Sequence, residues 1–193
     1  MTPNRLGLLA LTLCLVGISG CTSVVNASRE APIEDDRGTR TFGSKIDDSL
    51  IETKVGVNVA KADPGLDNES HIVVTSFNGV VLLAGQTPRE DLKAKAEQAA
   101  AAVQRVKTVH NELQILPPSG FVARQNDTWL TTKIKTQMLA DASIPGSRIK
   151  VVTENGIVYL LGLVTKQEAD QATNLVQSVA GVQKIVKLFE YID

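Results

Sequence analysis

The side chains with the clearest chemical promise lie in the stretch N-D-T-W-L-T-T-K-I-K-T-Q-M-L-A-D-A, Asn126 to Ala142, where the only tryptophan, Trp129, stands four residues before Lys133. An indole beside an ammonium group suits a lipid headgroup layer. The ring prefers a boundary between apolar and wet surroundings, and the lysine can reach phosphate. At about 100° per residue, Leu130, Ile134 and Met138 form one apolar stripe. Trp129 falls roughly 140° from the centre of that stripe, on a face shared with Lys133, Thr136 and Ala140. If the stripe faces a core, the ring points outward. The same ring could instead wedge against a neighbouring domain or a linker. This helix alone leaves both readings open.

The second reactive group is a cysteine. Met1 to Gly20 has the grammar of an export signal: Arg5 supplies positive charge, and Leu6 to Ile18 is apolar but shorter than the roughly 20 residues of a membrane span. The run ends in Ile18-Ser19-Gly20-Cys21, small residues before a cysteine, which resembles the lipobox of bacterial lipoproteins. That resemblance implies cleavage before Cys21 and a lipidated N-terminus with its palmitate-like acyl chains, each buried CH₂ contributing about 0.8 kcal/mol to anchoring. Thr22 follows rather than aspartate, which by the same resemblance favours transport to the outer membrane. Cleavage removes Cys14 and leaves the Cys21 sulfur acylated, so no disulfide is expected even in an oxidising compartment.

Elements must position these groups, and composition limits how. The chain has 193 residues, 43% hydrophobic and only 4% aromatic, so its cores are expected to consist of Val, Ile, Leu and Ala. A net charge of −1 and a pI near 6.1 give no basic field to draw nucleic acid. Residues 22 to 44 are polar and aperiodic and read as a tether.

Beyond them the chain repeats itself. Asp48-x-x-Ile51-x-Thr53-Lys54-Val55 recurs as Asp127-x-x-Leu130-x-Thr132-Lys133-Ile134, and Ile72-x-Val74 recurs as Ile149-x-Val151. Asn78-Gly79-Val80-Val81-Leu82-Leu83 recurs as Asn155-Gly156-Ile157-Val158-Tyr159-Leu160, and Gly85 recurs as Gly162. So long a period means two copies of a small domain rather than a solenoid. In each copy an amphipathic helix precedes two β-rich runs flanking Asn-Gly, a hairpin signal because a type I′ turn needs positive φ at both central residues. A second helix follows, with start signals Thr87-Pro88-Arg89-Glu90 and Thr165-Lys166-Gln167-Glu168. In the first copy its buried stripe is read as Leu92, Ala96, Ala99 and Val103. A last strand closes each copy. The expected class is α+β, two tandem αββαβ domains, each with two helices covering one face of a three-stranded sheet. The divisions are 1–20 signal peptide, 21–44 tether, 45–116 first domain, 117–124 linker and 125–193 second domain.

This order, the N-G-x-V-x-L-x-G motif present twice as Asn78–Gly85 and Asn155–Gly162, and a lipobox before two copies together resemble the BON-domain family, and within it the dual-BON, DolP-like lipoproteins of the Gram-negative outer membrane. The resemblance implies a periplasm-facing, lipid-anchored protein of the outer membrane. It implies binding of anionic phospholipid rather than catalysis, and a part in outer-membrane integrity. Carried over by position, the lipid-binding residues are Trp129, Leu130, Thr132, Lys133 and Thr136, and the lipidation site is Cys21. Leu50 replaces Trp129 in the first copy amid Asp47, Asp48 and Glu52, and an acidic helix is repelled by anionic lipid. Lipid binding is therefore expected from the second domain only.

Other chemistry finds little support. His71 and His110 have Arg148 and Val186 as counterparts, so no repeated activity uses them. No Cys/His spacing suits zinc. Asp47-Asp48 reads as a first-turn pair favouring the helix dipole, and the glycines lie in turns rather than in a phosphate-cradling run. No catalytic residue, metal, cofactor or small-molecule substrate is expected. The competing reading is a periplasmic adaptor binding outer-membrane assembly proteins, which would be indifferent to lipid headgroup, whereas lipid binding would weaken with salt.

Overall fold

The structure, a computed structural model, describes residues 38–193. Cys21 and the signal-like segment lie outside the described residues. The first copy runs α1 (Phe42–Ala62), α2 (Pro64–Asn68), β1 (His71–Phe77), β2 (Val80–Thr87), α3 (Glu90–Ala101) and β3 (Thr108–Ile115). The second runs α4 (Phe121–Ala140), a 3₁₀ turn (Gly146–Arg148), β4 (Ile149–Glu154), β5 (Ile157–Val164), α5 (Lys166–Gln177) and β6 (Lys184–Tyr191). Each sheet places its second strand in the centre, antiparallel to the first and parallel to the third.

Local signals explain most boundaries. Asn78 and Gly79 have φ of 53° and 80°, and Asn155 and Gly156 have 51° and 73°, so both hairpins turn with two positive φ values. Gly85, with φ of 121°, lies where an added Cβ would fall 2.0 Å from the His71 carbonyl oxygen. Strand β1 thus passes too close for any side chain there, which is why glycine ends the motif. Thr165 caps α5 by accepting from the Glu168 amide while Glu168 accepts from the Thr165 amide.

Three boundaries differ from the sequence expectation. Helix α1 begins at Phe42, inside the span read as tether, because Thr41 caps it with a 3.1 Å bond from the Ser44 amide. Helix α4 begins at Phe121, so residues 121–124 belong to it and not to the linker; only Pro117 to Gly120 stay extended, and nothing after Gly120 breaks a helix. Thr87 does not cap α3. It is the last residue of β2, paired with Ile115 and taking the Ser70 hydroxyl at 3.0 Å, so Arg89 falls at the N-cap position.

Asp48 and Asp127 are buried and act as clamps rather than as first-turn charges. Asp48 accepts the amides of Asn78 and Gly79, each at 2.9 Å, and Asp127 accepts those of Asn155 and Gly156 at 2.8 and 2.9 Å. Each first helix is thereby fastened to the hairpin of its own copy.

The core has three layers of contact. Ile51, Val55 and Val59 of α1 and Leu92, Ala96 and Ala100 of α3 pack on Val81 and Leu83. The α3 stripe uses Ala100 as its buried member, with Ala99 at its rim. Leu130, Ile134 and Met138 of α4 pack with Ala169, Ala172 and Val176 of α5 on Val158 and Leu160. Because side chains alternate along a strand, Leu82, Ala84 and Phe77 point the other way. They meet Ile157, Tyr159 and Leu161 of the second sheet. The layers run helix, sheet, sheet, helix. The sheet face that the helices leave free is the interface between the two copies.

Candidate functional site: the outward face of α4

Helix α4 sits over β4, held by its buried stripe, and that stripe decides what its other side offers. Leu130 is fully buried in the second core. This corrects its place among the lipid-binding candidates: it orients the helix and touches no surface. Trp129 is 56% exposed, which removes the interdomain wedge. Lys133 Nζ lies 4.9 Å from the centroid of the Trp129 ring, a cation–π contact that holds ring and charge together. Among the described residues no hydrogen bond engages the indole N–H.

Thr132 and Thr136 are exposed on the same face. Their hydroxyls donate back to the carbonyls of Thr128 and Thr132 at 2.9 and 2.8 Å, and the Thr128 hydroxyl does the same to Arg124 at 2.9 Å. With these polar groups satisfied inside the helix, the threonines turn methyl groups outward. Lys135 points elsewhere. Its Nζ donates to the carbonyls of Gly146 and Ile149 at 2.8 and 2.7 Å, and burial pushes its pKa down.

Phe121, Val122 and Leu139 are also exposed on α4. On the helical wheel they fall on the Trp129 side, so the face is longer and more apolar than the sequence reading gave it. Phe121 and Val122 were missed because the helix was started at Asn126; Phe-Val directly after Gly120 was the available signal. The one carboxylate within α4, Asp127, points inward to its hairpin.

A second polar cluster lies between the copies. A cleft of about 390 Å³ is lined by His71, Arg124, Asp127, Thr131 and Glu154. His71 Nε2 stands 3.5 Å from Glu154 Oε2. Burial, and then the Asp127 charge, push the Glu154 pKa up from 4.5 to about 7, while burial, with the Arg124 charge behind it, pushes His71 down. Glu154 was not singled out from sequence; its counterpart Phe77 gives no hint of it. The Thr131 and Thr153 hydroxyls in the cleft bond to each other at 2.8 Å.

The family model described as "BON domain" matches residues 47–117 and 126–193. The chain is 36% identical to the outer membrane lipoprotein DolP of Haemophilus influenzae, over 100% of both chains. It is 35% identical to a 21 kDa hemolysin of Actinobacillus pleuropneumoniae over 79% of this chain and 78% of that one. It is 29% identical to the osmotically-inducible protein Y of Escherichia coli over 78% of this chain and 75% of that one.

Proposed function

The chain belongs to the BON-domain family, and from that premise we propose that it is a non-enzymatic outer-membrane lipoprotein, anchored through Cys21 and facing the periplasm, that binds anionic phospholipid through α4 and supports outer-membrane integrity. The observation that carries the reading is the exposed Trp129 with Lys133 over its ring, on a helix face without an outward carboxylate. The ring inserts at headgroup depth. Lys133 then exchanges its ring contact for a lipid phosphate, and the threonine methyls rest on the acyl boundary. No helix among the described residues is long and apolar enough to cross a membrane. Membrane contact of this part is therefore peripheral, and the acyl anchor raises the local concentration of α4 at the leaflet so that a weak affinity suffices. The full-length match to an outer membrane lipoprotein supports the anchor and the address.

The test uses the single tryptophan. Emission of the non-acylated chain is titrated with vesicles of phosphatidylglycerol and of phosphatidylcholine. A blue shift with the anionic vesicles alone, weakened by salt, is the expected result. An emission unmoved by either vesicle ends the lipid reading and favours the adaptor.

A further inference from the structure

The two copies close their last strand against their second helix in different ways. In the first, Asn111 of β3 reaches across to α3, its side-chain amide donating to the Lys93 carbonyl at 2.9 Å and to the Glu97 carboxylate at 3.1 Å. Asn111 pairs with Leu83, and the repeat sets Leu83 against Leu160, whose partner in β6 is Lys187. Lys187 therefore stands in the second copy where Asn111 stands in the first. Thr173 takes the place of Glu97, since it follows the buried Ala172 as Glu97 follows the buried Ala96. The bridge is lost with these two changes, and the Thr173 hydroxyl turns back to the Ala169 carbonyl at 2.6 Å. A groove of about 400 Å³ opens instead between α5 and β6, lined by Thr173, Gln177, Val182, Lys184, Ile185 and Lys187. Val182 and Ile185 rest on the second core and give it an apolar floor. Lys184 and Lys187 are exposed, and no carboxylate among the described residues pairs with either.

Strand β6 is also an edge. Among the described residues it pairs with β5 alone, and an edge presents main-chain N–H and C=O groups to any extended chain. We propose that the groove beside β6 is a peptide-docking site, at which an extended acidic segment of a partner protein adds to the second sheet as a fourth strand. Charge selects this occupant. Edge lysines repel strands of their own sign, but a segment bearing aspartate or glutamate meets them as cross-strand partners of opposite sign. Ile185 faces the helices and Val186 the other copy, so by alternation Lys187 shares the helix side and Lys184 lies on the other. The matching segment thus carries acid on both of its faces, with an apolar residue to rest on Val182 and Ile185. A second copy fits less well. It would bring the same two lysines, and its one β6 carboxylate, Glu190, is already held by Asn78 at 3.1 Å. Strand β3 offers no equivalent, because the Asn111 bridge crosses the same space. Helix α4 packs over β4, and β4 and β6 are opposite edges of one sheet. The groove is thus separate from the α4 face and independent of the lipid reading.

All six strands and both helix layers lie within residues 38–193, so the non-acylated chain from Thr22 onward keeps the fold and serves for the test. The probe is a labelled peptide of Glu-Glu-Val repeats, followed by fluorescence anisotropy. Binding that weakens with salt is expected, and none by the Lys-Lys-Val counterpart. Lys184→Glu/Lys187→Glu should lower affinity about tenfold. Lys187→Asn/Thr173→Glu transplants the first copy's bridge and should abolish binding while leaving the urea midpoint where it is. Amide hydrogen exchange in the complex separates strand addition from charge alone, since amides of β6 should gain protection and those of β3 should not. Binding without protection of β6 overturns the added strand. Binding that survives the transplanted bridge overturns the groove, and equal binding of both peptides, or of neither, overturns the proposal outright. Two further results would also overturn it: phosphatidylglycerol vesicles that displace the peptide and bind the Lys184→Glu/Lys187→Glu variant more weakly, which assigns the lysines to lipid, and β6 amides protected without peptide and exposed on dilution, which assigns the edge to a second copy.

Discussion

At the level of single residues, Lys133 links two roles that would otherwise compete. Resting over the Trp129 ring, it would lose little further side-chain freedom in the proposed contact with a lipid phosphate, because the ring has already restricted it. Near an anionic surface a lysine contributes about 1 kcal/mol. Lys133→Glu both removes that attraction and adds a repulsion, so affinity for phosphatidylglycerol vesicles should fall by a factor of about thirty, a loss of about 2 kcal/mol. Lys135→Gln leaves affinity unchanged and lowers stability instead, since Lys135 holds two backbone carbonyls. Vesicle co-sedimentation beside urea unfolding reads both. Glu154 makes a separate prediction. Folded, it keeps its proton to about pH 7, against 4.5 for the ordinary carboxyl. Between those values the folded state binds more protons than the unfolded one, so Glu154 makes stability fall as pH rises from about 4.5 to about 7. At about 1.4 kcal/mol per unit the whole effect is on the order of 3 kcal/mol. Partly buried His71 has the opposite sign: its contribution is lost as pH falls below its ordinary value of 6.5. Glu154→Gln should remove the first slope, stabilising the protein at pH 8 and hardly at pH 4. Urea midpoints across that range, followed by Trp129 emission, check it, and an unchanged slope in the variant would sink the assignment.

At the level of elements, the clamp from helix to hairpin explains why each copy pairs an aspartate with a distant Asn-Gly. Two amides per turn point into protein, and one carboxylate satisfies both. For Asp48, burial alone would raise the carboxyl pKa, yet the donors from Gly79, Ser76, Asn78 and Arg40 outweigh it and hold the group below the usual carboxylate range. Hydrogen bonds to charged groups contribute about 1.5–3 kcal/mol and orphaned buried amides cost about as much. Asp48→Ala and Asp127→Ala should each cost about 3 kcal/mol, measured by chemical denaturation, while Asp47→Ala costs well under 1 kcal/mol because the Asp47–Arg105 pair is exposed. Sequence made some of this legible. Asn-Gly, the Thr165 capping box and the stripe of Leu130, Ile134 and Met138 are local signals, and each is where its spacing puts it. Asp48 was not legible, because its partners lie thirty residues away and a helical wheel cannot say that an aspartate belongs to the core side. Thr87 failed for a related reason: a capping sequence loses to a strand when the parallel ladder with β3 still needs the residue. The same blindness applies to α1, where a count of acidic residues cannot show that Asp48 is buried on the hairpin, Glu52 is held by Lys150 and Ser76, and Asp47 is paired with Arg105.

At the level of the whole molecule, the two copies meet in a pseudo-symmetric way. Asn78 donates its amide to the Glu190 carboxylate at 3.1 Å, and Asn155 donates to Gln114 Oε1 at 3.3 Å. Positions 78 and 155 correspond in the repeat, as do 114 and 190, so each hairpin tip grips the last strand of the other copy. Between these grips lies the inter-sheet layer of Phe77, Leu82, Ala84, Ile157, Tyr159 and Leu161. The layer was half legible: Val80 to Ala84 is apolar without alternation, which a sheet covered on one face does not require and one covered on both does. A domain of about seventy residues is marginal by itself, so each copy relies on this shared layer for stability and the pair should unfold as one unit. Trp129 emission reports the second copy, and the Leu50→Trp/Trp129→Phe variant reports the first; their urea midpoints should coincide. Leu82→Asp places an unpaired charge where the side chain is fully buried, which costs several kcal/mol and falls on the interface rather than on either helix-facing core. Both midpoints should then drop and separate, the first copy unfolding earlier because the charge lies on its own strand. Midpoints that already differ before Leu82→Asp would show that the layer is a contact between two independently stable domains. Midpoints that drop together afterwards would show that the helix-facing cores are coupled by a route other than the inter-sheet layer.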